Sequence, residues 1–144
     1  MDKLKINTGA VRLLVDCDGV ENEISFNPTD LTFVENLYKL ISELDAKKEE
    51  FAYKEAELDK NNVTDENGIP NNAAERINLI KEVCIYLRGR LDDVFGPETS
   101  NRVFGSTNTL DMFEQFFEGI TPYILKARTD KTAKYTNRGK KGVM

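Results

Sequence analysis

The residues that could do chemistry in this chain are mainly carboxylates, because its 144 residues include no histidine. Histidine is the commonest general base and a frequent zinc ligand in proteins. A serine or cysteine nucleophile would therefore lack the imidazole that usually activates it. Asp16 and Asp18 stand two residues apart at the end of an apolar run, and the pair Asp92–Asp93 follows much later. Such carboxylates can act as nucleophiles or as general acids and bases.

The segment Leu13–Val20, LLVDCDGV, resembles the first motif of phosphatases of the haloacid-dehalogenase type. The resemblance implies that Asp16 is the nucleophile and Asp18 the acid/base, with Mg²⁺ offsetting charge between carboxylate and phosphate. That fold needs several further buried parallel strands and a downstream lysine, whereas only helices and loops are predicted after Phe26. A Mg²⁺-dependent phosphatase is therefore the last alternative that we keep. We expect no catalytic, cofactor-binding or metal-binding residues, and no cofactor.

The same segment is explained without chemistry as a β-hairpin. Asp18-Gly19 is a preferred two-residue turn between antiparallel strands. The turn sets a register in which one face is apolar except for a single asparagine. The facing pairs on that side are Cys17–Val20, Val15–Asn22, Leu13–Ile24 and Val11–Phe26. An isolated hairpin is marginally stable in water, so we expect this face to cover helices or a partner.

The most regular helical pattern lies in Ala73–Phe95, where apolar residues recur at steps of three and four. This stripe consists of Ala73, Ile77, Ile80, Cys84, Leu87, Leu91 and Val94. A second stripe through Leu79, Val83 and Tyr86 indicates a core helix packed on more than one side.

An earlier helix is expected to begin at Asn27-Pro28, with Asn27 as its N-cap. Its predicted core stripe is Phe33, Leu37, Leu40, Ile41 and Leu44. The second half of this helix, through Phe51 and Leu58, is rich in Lys and Glu, so it either projects into solvent or leans on a second copy of the chain.

Together these patterns predict an α+β fold that is mainly α. An N-terminal hairpin, with Leu4–Ile6 as a candidate third short strand, packs on a bundle of about four helices. We expect a single domain over residues 1–125, with a flexible loop at 61–72 where Asn-Gly and a proline interrupt the pattern. A basic C-terminal arm over residues 126–144 has too few apolar side chains to fold alone.

The charge of the chain is divided unevenly. Residues 1–125 hold 13 Lys and Arg against 24 Asp and Glu, whereas residues 126–144 hold 7 against 1. No apolar run approaches the roughly 18 residues of a membrane-spanning helix. The two cysteines, Cys17 and Cys84, both fall on predicted apolar faces, as reduced structural thiols do. We therefore expect a soluble cytoplasmic protein with no membrane partner.

The last predicted helix, which begins near Asn108, carries an unusual number of aromatic residues. Five of the eight phenylalanines lie within 23 residues, at Phe95, Phe104, Phe113, Phe116 and Phe117. Thr121-Pro122 is expected to kink or restart this helix. A domain this small does not easily bury so many large side chains, so we predict an apolar partner surface there, with the basic arm adding electrostatic attraction. The predicted partner-binding residues are Met112, Phe113, Phe116, Phe117, Tyr123, Lys126, Arg128, Lys131 and Lys134.

The layout of the whole chain resembles the tail assembly chaperones of siphophage-like phages and prophages of Gram-positive bacteria. The matching features are the hairpin that leads into FNPTDLTFVENLYKLISEL, then LDDVFGPETSNRVFG, then LDMFEQFFEGITPYI and the basic end. The resemblance implies a non-catalytic protein of the bacterial host cytoplasm that binds apolar helical segments of the tape measure protein and recruits tail tube protein. A homo-oligomer fits this role, and nucleic acid is not the expected partner.

Two further expectations follow from this resemblance. Lys140-Lys141-Gly142 is where slippery codons for a programmed frameshift could lie, which the gene sequence would test. The first alternative function is a structural tail or connector protein, which would be retained in the virion.

Overall fold

The computed structural model describes the backbone of residues 1–61 and 63–143 and the side chains of residues 1–61 and 63–128. Two strands come first, β1 (Val11–Cys17) and β2 (Val20–Phe26). The helices that follow are α1 (Leu31–Lys60), α2 (Ala73–Phe95), α3 (Thr99–Phe104) and α4 (Leu110–Val143). The predicted α+β, mainly α fold is confirmed.

The hairpin has the predicted register, from Cys17 opposite Val20 to Val11 opposite Phe26. Asp18 and Gly19 both have positive φ, at 54° and 86°. Two consecutive residues in this conformation match the right-handed twist of the flanking strands, which is why Asp-Gly is favoured there. The apolar face of the hairpin packs on α2 and α3 and buries Ile24.

The candidate third strand at Leu4–Ile6 is absent, because residues 1–10 contain no strand. Leu4 and Ile6 are both exposed. The chain is held instead at the end of this segment, where the carbonyl of Thr8 accepts hydrogen bonds from Asn27 Nδ2 (2.9 Å) and Thr29 Oγ1 (2.7 Å). The alternation of two apolar residues therefore did not create a strand, since no neighbouring strand covers them.

Helix α1 begins at Leu31, three residues later than predicted with Asn27 as its N-cap. The N-cap is Asp30, whose side chain accepts a hydrogen bond from the backbone N–H of Thr32 at 3.0 Å. Asn27 lies in the preceding turn, where its Oδ1 accepts from the N–H of Thr29 and its carbonyl accepts from the N–H of Asp30. Both residues have side chains suited to capping, and the hydrogen bonds of the turn decide which one does so.

One core joins the hairpin to the four helices. Its side chains come from β2, from the first half of α1, from the second half of α2, from α3 and from the first half of α4. The core residues are Ile24, Phe26, Val34, Leu37, Leu40, Leu44, Val83, Cys84, Leu87, Leu91, Val103, Phe104, Phe113, Phe116, Phe117, Ile120 and Ile124. The predicted stripes contain most of the α1 and α2 members, whereas Phe33, Ile41 and Ile80 are only partly buried.

Helix α4 is continuous through Pro122. The restart at Thr121, one of the two outcomes predicted for this proline, does not occur. Proline has no N–H to donate to the carbonyl one turn earlier. The carbonyl that loses its donor is that of Glu118. The hydroxyl of Thr121 donates to the neighbouring carbonyl of Phe117 at 2.7 Å, within the same turn. The backbone stays helical to Val143, so the segment predicted as a basic C-terminal arm continues α4.

The connection between α1 and α2 is a loop, as predicted, and it has its own hydrogen bonds. Asp65 Oδ1 accepts from the N–H groups of Asn67 and Ile69 at 2.8 and 2.9 Å, and Thr64 pairs with Pro70 in an isolated bridge. At the end of the loop, Asn72 Nδ2 donates to the carbonyl of Leu58 at 2.7 Å. These contacts join the end of α1 to the start of α2.

Candidate functional site

The two aspartates of the phosphatase-like motif lie at the tip of the hairpin. Asp16 Oδ1 accepts a hydrogen bond from the N–H of Gly19 at 2.8 Å, which stabilises the turn, and Asp18 is one of the two turn residues. Within the described residues the only sheet is this pair of antiparallel strands, and no group of three or more His, Cys, Asp and Glu could hold a metal ion. The turn therefore explains Asp16 and Asp18 structurally.

Asp92 and Asp93, the second carboxylate pair, each have a structural partner. Asp92 accepts from the N–H and the hydroxyl of Ser100, at 2.8 and 3.1 Å, and so attaches α3 to the end of α2. Asp93 pairs with Arg90 at 3.0 Å. Arg88 lies one turn before Asp92 on α2, but it donates to Asn101, to Asn108 and to the carbonyl of Thr107.

A polar cluster between α1 and α2 was not found from the sequence. Glu43 accepts from Arg90 Nε at 2.8 Å, from Arg90 Nη2 at 3.3 Å and from the hydroxyl of Tyr86 at 3.1 Å. The ammonium of Lys47 lies 4.5 Å from the centre of the Tyr86 ring. The hydrogen bond from Arg90 lowers the pKa of Glu43 below its ordinary value. The partners are more than 40 residues apart in sequence, so no local pattern could reveal them.

The aromatic residues predicted as a partner surface are core residues. Phe113 is fully buried, and Phe116 and Phe117 are 6% and 4% exposed. The inference that a domain of this size cannot bury them was wrong. Their rings pack on one another and on rings from other elements, with Phe104 contacting both Phe113 and Phe116 edge to face. In the folded chain these three side chains are not available to a partner.

The other predicted partner residues are more accessible. Met112 is partly buried against the core. Tyr123 is 42% exposed, and its ring packs edge to face on Phe26 with 6.5 Å between the ring centres. Lys126 and Arg128 are exposed on α4, whereas the side chains of Lys131 and Lys134 lie outside the described residues. Their role in partner binding stays a prediction.

Helix α2 carries an apolar stripe that stays exposed in the part of the chain that the structure describes. Ile77 is 53% exposed and Ile85 is 66% exposed, and they lie two turns apart with Lys81 between them. The sequence pattern placed Ile77 in the core, which was wrong. Further along the same side of α2, Arg88 and Asp92 are engaged by α3 and by the loop before α4. The elements that pack on this side of α2 therefore end where the exposed isoleucines begin. We call Ile77, Lys81 and Ile85 the open stripe.

A groove of about 450 Å³ runs between the end of α1 and the start of α2. Leu58 from α1 and Leu79 from α2 form its apolar floor, and both are partly buried. Its remaining lining residues are Lys54, Glu57, Glu75, Asn78 and Glu82. We call this feature the acidic groove, because three glutamates outnumber one lysine on its rim.

Fold and surface together describe a mainly helical α+β protein whose candidate sites are apolar and charged surfaces. The chain belongs to DUF6673, a family of unknown function whose sequence profile matches residues 19–143. No curated protein and no solved structure matches the chain. Among the described residues, no helix is both long enough and apolar enough to span a membrane.

Proposed function

We propose that this protein is a phage tail assembly chaperone that acts without catalysis in the cytoplasm of the bacterial host. It binds apolar helical segments of a long partner, the tape measure protein, and assists the assembly of tail tube protein around it. The proposal rests on the resemblance of the chain's layout to this family. It is also supported by one structural observation, which is the open stripe on α2.

The open stripe has the geometry of a helix-binding surface. Ile77, Lys81 and Ile85 follow one another at steps of four, and such rows form the ridges that pack into grooves of another helix. The alkyl stem of Lys81 can cover apolar surface while its ammonium stays in water. Helix-in-groove recognition uses apolar anchors at this kind of spacing. The stripe is therefore suited to the apolar side of an amphipathic helix.

The exposed fraction of Ile85 indicates how much free energy its burial can contribute to binding. Complete burial of an isoleucine side chain contributes about 1.5–3 kcal/mol, and Ile85 has about two thirds of its surface left to bury. Its contribution to binding is therefore about 1–2 kcal/mol, or roughly 5- to 30-fold in affinity. An aspartate at this position would weaken binding further, because its charge would lose water in the contact.

The experiment is co-expression with the proteins encoded immediately downstream, followed by affinity capture and mass spectrometry. We expect capture of a long helical protein that is insoluble alone, and at least tenfold weaker capture by the Ile85→Asp variant. The matched control is Leu31→Asp, because Leu31 is 70% exposed and an acid is favourable at the first position of α1.

Two results would contradict the proposal. One is a wild-type chain that comes through capture alone. The other is an Ile85→Asp variant that captures the partner as well as Leu31→Asp does. Mass spectrometry of purified virions tests the structural alternative, since a chaperone is absent from the finished particle and a connector or tail protein is present.

A further inference from the structure

The acidic groove combines an apolar floor with carboxylates from both of the helices that form it. Glu75 and Glu82 stand on its α2 side and Glu57 on its α1 side. Lys54, the single cation of the lining, is paired with Glu50 at 2.9 Å, and Glu57 is paired with Lys60 at 3.1 Å. An apolar floor beneath carboxylates is suited to lysine and arginine, whose stems are apolar and whose heads are cationic.

A segment with this chemistry is present in the chain itself. Residues 126–143 contain seven Lys and Arg and one Asp, whereas the remainder of the chain carries a net charge of about −11. These residues form the last part of α4, which ends at Val143. One chain therefore contains both an acidic groove with an apolar floor and a basic helix end.

The groove and the basic end cannot meet within one molecule. Glu114 of α4 contacts Lys48 in the middle of α1, whereas Tyr123 packs on Phe26, which stacks on Phe33 near the start of α1. Helix α4 therefore passes α1 in the antiparallel direction. From the contact at Lys48, the groove lies towards the end of α1 and the basic end lies the opposite way. At 1.5 Å per residue, Leu58 and Lys126 are about 33 Å apart along the helix axes.

We propose that the basic end of α4 from one copy docks in the acidic groove of a second copy. Each copy then offers one groove and one basic end, so the contact is head to tail and can be repeated from copy to copy. The attraction is between opposite charges and is screened by salt. The association is therefore reversible, and it weakens steeply as the salt concentration rises. It does not involve the open stripe, and its test needs no other protein.

Sedimentation velocity of the purified, nuclease-treated chain tests the proposal. We expect the average mass to rise with protein concentration at about 0.05 M salt and to return to that of the monomer at about 1 M, where the Debye length is about 3 Å. The groove variant Glu75→Lys/Glu82→Lys and the basic-end variant Lys131→Glu/Lys134→Glu should each associate at least tenfold more weakly than the wild type.

The decisive sample is the equimolar mixture of these two variants. The groove variant retains a basic end, and the basic-end variant retains an acidic groove, so mixing restores one complementary contact. We expect the mixture to associate at concentrations where each variant alone is a monomer. The control Glu21→Lys/Glu49→Lys changes the net charge equally at exposed positions outside the groove and should behave as the wild type.

Three results would overturn the proposal. The wild type could remain a monomer at low salt up to millimolar concentration. Association could persist in both variants, which would place the contact elsewhere. It could also disappear on nuclease treatment, which would mean that the basic end binds nucleic acid. Circular dichroism of every variant checks that it is folded. These outcomes do not depend on whether the chain captures the partner of the proposed function.

Discussion

Replacement of Phe113 by alanine tests whether the aromatic residues of α4 form core or partner surface. Phe113 has no exposed surface, and its ring packs edge to face on Phe104 with 5.3 Å between the ring centres. A buried phenylalanine truncated to alanine costs about 3–5 kcal/mol, because transfer energy is lost and a cavity remains. Domains of this size unfold with about 5–15 kcal/mol, so the variant folds but is marginal.

Tyr123→Ala is the matched comparison on the same helix. Tyr123 is 42% exposed and has one edge-to-face contact with Phe26. We expect this variant to lose about 1 kcal/mol, from part of the ring's burial and one aromatic contact. At about 3–4 °C per kcal/mol, the melting temperature should fall by about 10–20 °C for Phe113→Ala and by about 3–4 °C for Tyr123→Ala.

The assay is urea unfolding followed by circular dichroism, with thermal melts of the same samples. A Phe113→Ala chain whose unfolding free energy lies within about 1 kcal/mol of the wild type would refute the assignment of this ring to the core. Equal losses for the two variants would do the same, since the argument depends on their difference in burial.

Two further predictions concern polar contacts between elements. Glu43→Gln should lower the unfolding free energy by about 1 kcal/mol at pH 7, since its charged hydrogen bonds with Arg90 are partly shielded from water. The pKa of Glu43 is lowered in the folded state. The stability difference between the two chains is therefore present above the ordinary pKa of 4.5 and disappears as the pH falls through the lowered pKa. A stability difference that grows on acidification would contradict this cause. Asp92→Ala should cost about 1–3 kcal/mol in urea unfolding, because it leaves the buried N–H and hydroxyl of Ser100 without their acceptor, while Asp92→Asn should cost less. Equal stability of the Asp92→Ala variant and the wild type would show that these hydrogen bonds are replaced.

The parts of the fold predicted correctly depend on local physics. A two-residue turn sets the hairpin register because side chains alternate strictly along a strand, so Asp18-Gly19 was sufficient. The extent of α2, Ala73–Phe95, follows from a long and regular apolar pattern. The start of α1 was predicted wrongly, because Asn27 and Asp30 can both cap a helix and only their turn contacts decide which one does.

The candidate surfaces could not be predicted in the same way. An apolar side chain on a helix is core only if another element covers it, and the pattern does not say which element does so. Phe116 was assigned to a partner surface and Ile77 to the core, yet rings from α2 and α3 enclose Phe116, while Ile77 is 53% exposed. Spacing alone therefore misassigned the burial of both side chains.

The sequence by itself determined the hairpin, the extent of α2 and the division of charge between an acidic body and a basic end, because these depend on nearest neighbours and on composition. Tertiary structure alone decided which apolar residues stay exposed, which acids become structural and how far the acidic groove lies from the basic end. The reason is physical: burial, ion pairing and distance are properties of residues from different elements. Glu43 and Arg90, which are 47 positions apart, meet only once α1 and α2 pack.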